Sequence, residues 1–96
     1  MNRCVGQWCT IVSKHGMSLE CRVSKVTAEA IEFDEKLEVY QEIPRLRPAE
    51  AVIEPCVGWV PREVVQMVKT SSKARAEDFC RKMNTTHLVA TSRRNN

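Results

Sequence analysis

Between Met17 and Ser24 the chain alternates without a break: Met17, Leu19, Cys21 and Val23 are apolar, and Ser18, Glu20, Arg22 and Ser24 are polar. A period of two places all the apolar side chains on one face of an extended strand and all the polar ones on the other. In a helix the same residues would be scattered around the circumference, with no stripe to bury. The segment just upstream, Trp8 to Lys14, is rich in β-formers (Trp8, Thr10, Ile11, Val12), and His15-Gly16 stands between the two segments. Glycine accepts the positive φ that a tight turn requires. The pattern therefore predicts a β-hairpin across residues 8–25.

Alternation continues downstream. Ile31 and Phe33 against Glu32 and Asp34 predict a third strand over Ala30 to Asp34, and Leu37, Val39 and Ile43 against Glu38, Tyr40 and Glu42 predict a fourth over Leu37 to Ile43. Pro44 and Pro48 bracket Arg45-Leu46-Arg47, and the residue before a proline avoids the α region, so this stretch reads as an extended basic loop. Ala51 to Glu54 reads as a last short strand.

From Pro61 the period changes. Proline suits the first position of a helix, Glu63 suits its positive end, and Val64, Val65, Met67 and Val68 recur at helical spacing; a strand through Val64 and Val65 is the alternative. Ser71 or Ser72 caps a further helix with Ala76, Phe79, Cys80 and Met83 on one face. Asn84 is read as its stop and His87 to Ala90 as a short closing strand. The expected fold is α+β: an N-terminal antiparallel β-meander of four to five strands, forming a small open barrel or sheet, covered by one or two C-terminal helices. It forms one domain over residues 1–92, β-rich at 8–54 and helical at 61–84, with a polar tail at 93–96. The hairpin and acidic third strand resemble the opening of an SH3-like or Sm-like small barrel across residues 8–43. An Sm-type second strand would carry a glycine where this chain has Cys21 and Arg22, so no functional residue is carried over from that resemblance.

With 96 residues and 43% hydrophobic content, the chain has material for one modest core and little beside it for a deep catalytic pocket. Five cysteines cannot all pair within one chain, no apolar run reaches the length of a membrane span, and the N-terminus lacks a signal-like segment. A cytoplasmic protein with reduced thiols is the expectation. No Cys-x-x-Cys occurs, the two histidines fall in a turn and near a terminal strand, and the three glycines stand apart. Neither a metal site, a cofactor site, a nucleophilic thiol nor a phosphate loop is expected from such spacing. The acidic residues of 29–42 alternate onto predicted polar strand faces, as solvated charges do.

Charge is polarised along the chain. Residues 1–27 carry four basic and one acidic side chain, 28–54 three basic and eight acidic, and 55–96 eight basic and three acidic. Such asymmetry either draws the acidic middle and the basic end together within the fold or offers faces of opposite sign that steer and orient a partner. The residues expected to make contact are Arg45, Arg47, Lys73, Arg75, Arg81 and Lys82 as a basic face. Trp59 joins them as an anchor. It belongs to a short internal echo, Cys4-Val5-Gly6-Gln7-Trp8 against Cys56-Val57-Gly58-Trp59, in which either tryptophan becomes an anchor if it is exposed.

The reading favoured by elimination is a non-enzymatic protein-interaction module. It would be a small regulator or inhibitor docking on a larger cytosolic complex that itself handles nucleic acid, of the accessory kind that compact phage and plasmid genomes carry. A chain this small can still present the roughly 800 Å² of a standard half-interface. The alternative is direct nucleic-acid binding by a small β-barrel through the 44–48 loop and the C-terminal helices. A pI of about 8.7 and only five aromatic residues weigh against the alternative.

Overall fold

The computed structural model describes the backbone of residues 2–40 and 50–94 and the side chains of residues 3–40 and 50–84. Five antiparallel strands and one α-helix follow in order: β1 (Trp8–Ser13), β2 (Ser18–Val26), β3 (Ala30–Tyr40), β4 (Glu50–Pro61), β5 (Val65–Thr70) and α1 (Lys73–Arg94). The sheet is open, with strand order β4-β3-β2-β1-β5. The fold is the expected α+β arrangement. Among the described residues, no helix is long and apolar enough to cross a membrane.

The hairpin forms where the alternation predicts it, with Cys9 opposite Cys21 and Ile11 opposite Leu19. Its turn is organised by Ser13 as well as by Gly16. The Ser13 hydroxyl accepts the backbone N–H groups of His15 and Met17 at 3.2 Å each, and Gly16, at φ 85°, donates its own N–H to the Ser13 carbonyl. Met17 falls in this turn and is 74% exposed, not on the apolar strand face as its place in the alternation predicts.

Several expectations are corrected. The predicted third and fourth strands are one strand, β3, because no Gly or Pro lies between Ala30 and Tyr40 to turn the chain. Likewise β4 absorbs both the short strand at 51–54 and the Cys56–Trp59 echo. The helix expected from Pro61 is a single 3-10 turn, Arg62–Val64, followed by β5, so 61–70 is not a helical region and the alternative strand reading holds. The valines that recur at helical spacing serve a strand instead, because pairing with β1 offers backbone partners and lets Val65 and Val68 pack against the core. Among the described residues there is thus one α-helix. α1 also runs past Asn84 through the predicted strand at 87–90 and into the predicted tail, ending at Arg94. Nothing from Thr85 to Arg94 is a Gly or Pro, and residues of middling propensity cost a growing helix only tenths of a kcal/mol each. The 44–48 loop, the 41–43 end of the predicted fourth strand and residues 95–96 lie outside the described residues.

The connection between β4 and β5 shapes the sheet. The two strands lie at opposite edges, about 19 Å apart if the sheet were flat. The four steps from Pro61 to Val65 reach at most about 14 Å. The sheet must therefore curl. Register shifts at Val12/Ser13 in β1, at Arg22–Lys25 in β2 and at Phe33/Glu35 between β3 and β4 provide the bends. The concave side holds the core: Cys9, Ile11, Cys21, Val23, Ile31 and Phe33, with Leu19, Cys56, Val60, Val65 and Val68 packed around it. On the convex side, Trp8 is only 5% exposed.

Helix α1 begins beside Trp8, whose carbonyl accepts the Ser71 N–H at 2.8 Å. Ser72 is the cap: its hydroxyl accepts the Arg75 N–H at 3.2 Å. Further along, the Asn84 side-chain amide both donates to the Ala51 carbonyl and accepts the Ala51 N–H, at 3.2 Å each. This amide takes the place of a neighbouring strand at that point of β4 and pins α1 to it.

Gly58 of β4 sits against the ring of Phe33 on β3, its partner in the register. A Cβ at this position would lie 2.6 Å from the Phe33 ring, which the core holds in place at 8% exposure. Gly58→Ala is expected to cost about 1–3 kcal/mol, read as a lower urea midpoint at unchanged slope. Adding Phe33→Leu should recover part of that loss; a Gly58→Ala chain as stable as the parent would show that the ring yields freely.

Candidate functional site

Strand β4 alternates exposed and covered residues. Pro55, Val57 and Trp59 are exposed, while Cys56 and Val60 pack against the core and Gly58 lies under the Phe33 ring. Val57 is 87% and Trp59 63% exposed. Among the described residues β4 is an edge strand, paired on one side only, with β3. The two tryptophans of the sequence echo therefore have opposite fates: Trp8 is buried and Trp59 stands in solvent. Glu32 lies opposite Trp59 on β3, and Lys25 lies opposite Glu32 on β2, so a charged row flanks the apolar strip. An apolar anchor with a polar margin is the arrangement of a protein contact surface.

The structure places four of the six predicted basic residues on the first turns of α1; Arg45 and Arg47 lie outside the described residues. Lys73 reaches across to Glu35 of β3 at 3.3 Å. Arg81 and Lys82 both pair with Asp78, Lys82 at 3.0 Å. Lys82 and, after it, Arg81 hold the Asp78 carboxyl below its usual range. Exposed pairs of this kind add little stability, but they halve the positive charge available to a polyanion. Arg75 makes no ion pair among the described residues. The basic residues thus do not form one continuous face, and Trp59 lies apart from them on β4.

Sequence reasoning missed a groove of about 600 Å³ between the first turns of α1 and the sheet. Leu37, Val39, Ala76 and Phe79 give it apolar walls, and Lys69 and Arg75 also line it. Phe79 was read as the core side of a helix, yet it is 43% exposed. Leu37 and Val39 come to the helix side because the register shift at Phe33/Glu35 changes which face of β3 they share with Phe33. A period of two carries no mark of such a shift.

Two of the thiols, Cys9 and Cys21, are buried rather than placed to react. Cys9 and Cys21 are fully buried opposite each other, and burial, first of all, pushes each up to about 12; a hydrogen bond with Cys4 adds to the effect on Cys9. A nucleophile needs the reverse shift. Among the described residues, no three or more His, Cys, Asp or Glu side chains are grouped as metal ligands would be.

Two outcomes follow for the thiols. At mildly alkaline pH a thiol reagent should modify Cys4, Cys56 and Cys80, which are partly exposed, well before Cys9 and Cys21, as mapped by peptide mass spectrometry. The raised pKa values also set a sign for stability. Below the unfolded value of 9.0 both states keep their protons; above it the unfolded chain loses protons that the folded chain retains until about 12. The melting temperature should fall across that window, and less steeply in Cys21→Val.

Comparison with protein families, with curated proteins and with solved structures finds no match for this chain, so its site is read from its own geometry.

Proposed function

We propose that the chain is a non-enzymatic protein-interaction module, a small regulator or inhibitor that docks on a larger cytoplasmic protein complex through the outer face of β4. One observation carries this reading: Trp59, with Val57 beside it, stands exposed on a strand that pairs on one side only among the described residues. Leaving large apolar side chains in water forgoes burial worth about 1.5–3 kcal/mol apiece, which a partner's surface recovers. The unpaired edge adds backbone donors and acceptors for an incoming strand, as in β-strand addition. Pro55 interrupts that edge because it has no N–H, which limits open-ended stacking of copies. The free thiols Cys9 and Cys21, directly opposite yet unbonded, accord with a reducing compartment.

Direct nucleic-acid binding is the weaker reading, because Glu35 and Asp78 already engage three of the four described basic residues from the expected face. Affinity capture from lysate with the tagged chain separates the two. One or two proteins should co-purify at near-equal stoichiometry and survive nuclease and moderate salt. Trp59→Arg should reduce their recovery by about tenfold or more while leaving the melting temperature within about 2 °C of the parent's. Recovery that vanishes with nuclease, or that is indifferent to Trp59→Arg, overturns the reading.

A further inference from the structure

We propose that the groove beside α1 binds a linear peptide segment of a partner protein in which carboxylates stand next to large apolar side chains. This inference rests on the reading of the chain as a protein-interaction module, but it concerns residues separate from Val57 and Trp59.

The groove's apolar walls come from two elements that the fold sets apart. Val39 of β3 and Phe79 of α1 both line it, and each is 43% exposed. Arg75 and Phe79 also line an adjoining hollow of about 440 Å³ that extends to Lys82. The two hollows thus follow α1 from Arg75 to Lys82, about 10 Å, or the length of three to four extended residues. A linear occupant suits that course.

Charge selects the chemistry. Lys69 and Arg75 make no ion pair among the described residues, whereas Lys73 pairs with Glu35 and Arg81 and Lys82 share Asp78. Glu20, the carboxylate lining the main hollow, accepts the Thr10 hydroxyl and is turned to the sheet by that bond. Two unmatched cations beside exposed Phe79 and Val39 thus call for an acidic residue flanked by leucine- or phenylalanine-like side chains. A phosphate backbone is a poorer fit, because it offers nothing apolar to cover Leu37, Val39 and Phe79 along the groove. A second copy of this chain is also a poorer fit. Its acidic and apolar run, Ile31 to Val39, is held in the sheet by pairing with β4 and, as far as Lys36, with β2, and is not free to insert.

The test uses the full chain, immobilised, and a phage-displayed library of random peptides about twelve residues long. Enriched sequences are then synthesised and titrated into the isotope-labelled protein. The expected result is enrichment of Asp or Glu adjacent to Leu, Phe or Trp, with Kd of about 1–100 μM and amide shifts concentrated at 37–39, 69–72 and 75–82. Lys69→Glu and Arg75→Glu should each weaken binding about tenfold, Phe79→Ala should do the same, and Lys25→Glu, a charge change elsewhere on the sheet, should leave it unchanged. These side chains are exposed, and the shift map reports on the parent protein without any substitution. No enrichment, enrichment without acidic residues, shifts confined to Val57–Trp59, or groove shifts produced by an oligothymidylate and not by the peptides would each overturn the proposal. The effect of Trp59→Arg on partner capture is read in a separate experiment, so the groove and the interaction-module reading fail separately.

Discussion

A three-residue link, Arg62–Val64, joins the two opposite edges of one sheet, and the rest of the structure depends on it. It is too short to cross a flat five-stranded sheet, so the strands must bend until the end of β4 approaches the start of β5. Backbone bonds hold both ends of the link: the Arg62 N–H donates to the Glu29 carbonyl and the Lys14 N–H to the Val64 carbonyl. The Arg62 guanidinium also reaches the Thr27 carbonyl at 3.0 Å. Curling encloses the small core around Cys9, Cys21, Val23, Ile31 and Phe33. It also explains why Phe33 comes so close to β4 that only glycine fits at position 58.

The same bending creates the two candidate surfaces. Past the register shift at Phe33/Glu35, the far ends of β3 and β4 turn Leu37, Val39 and Ala51 toward α1, and Asn84 fastens the helix there. Nearer the link, β4 has no such cover, and Val57 and Trp59 face water. One strand thus carries a helix at one end and an exposed apolar strip at the other. The polarised charge of the chain is resolved within the fold at several points, since the basic helix meets the acidic third strand through Lys73 and Glu35. Arg75 and Lys69 lie outside that compensation, beside exposed apolar side chains, which makes the local chemistry of the groove more specific than the net charge suggests.

Much of the fold was legible. The alternation at 17–24 and the β-rich segment before it specify the hairpin, the Ser72 cap and the apolar spacing of Ala76 and Phe79 specify the start of α1, and Trp59 emerges from the echo as an anchor to be tested by exposure. Strand boundaries were less legible. Glu35 and Lys36 look like a break between strands but carry no turn chemistry, so β3 continues through them. The valines of 64–68 satisfy helical and strand periods alike over so short a span, and only the free edge of β1 selects the strand. Nothing local marks a helix end at Asn84; its polar side chain suggests a stop, but its role is to bind the β4 backbone.

The candidate site was legible in part, and the division has a physical reason. Local pattern determined that the chain makes a sheet-and-helix domain, because periods of two and of 3.6 residues dictate which faces need burial wherever the chain happens to pack. The tertiary structure alone decided which tryptophan is buried, that Lys73 is matched by Glu35, and that Val39 and Phe79 share a groove. Those outcomes depend on register shifts and on pairing between residues 30 or more positions apart, and a contact of that range leaves no trace in the spacing of neighbouring residues.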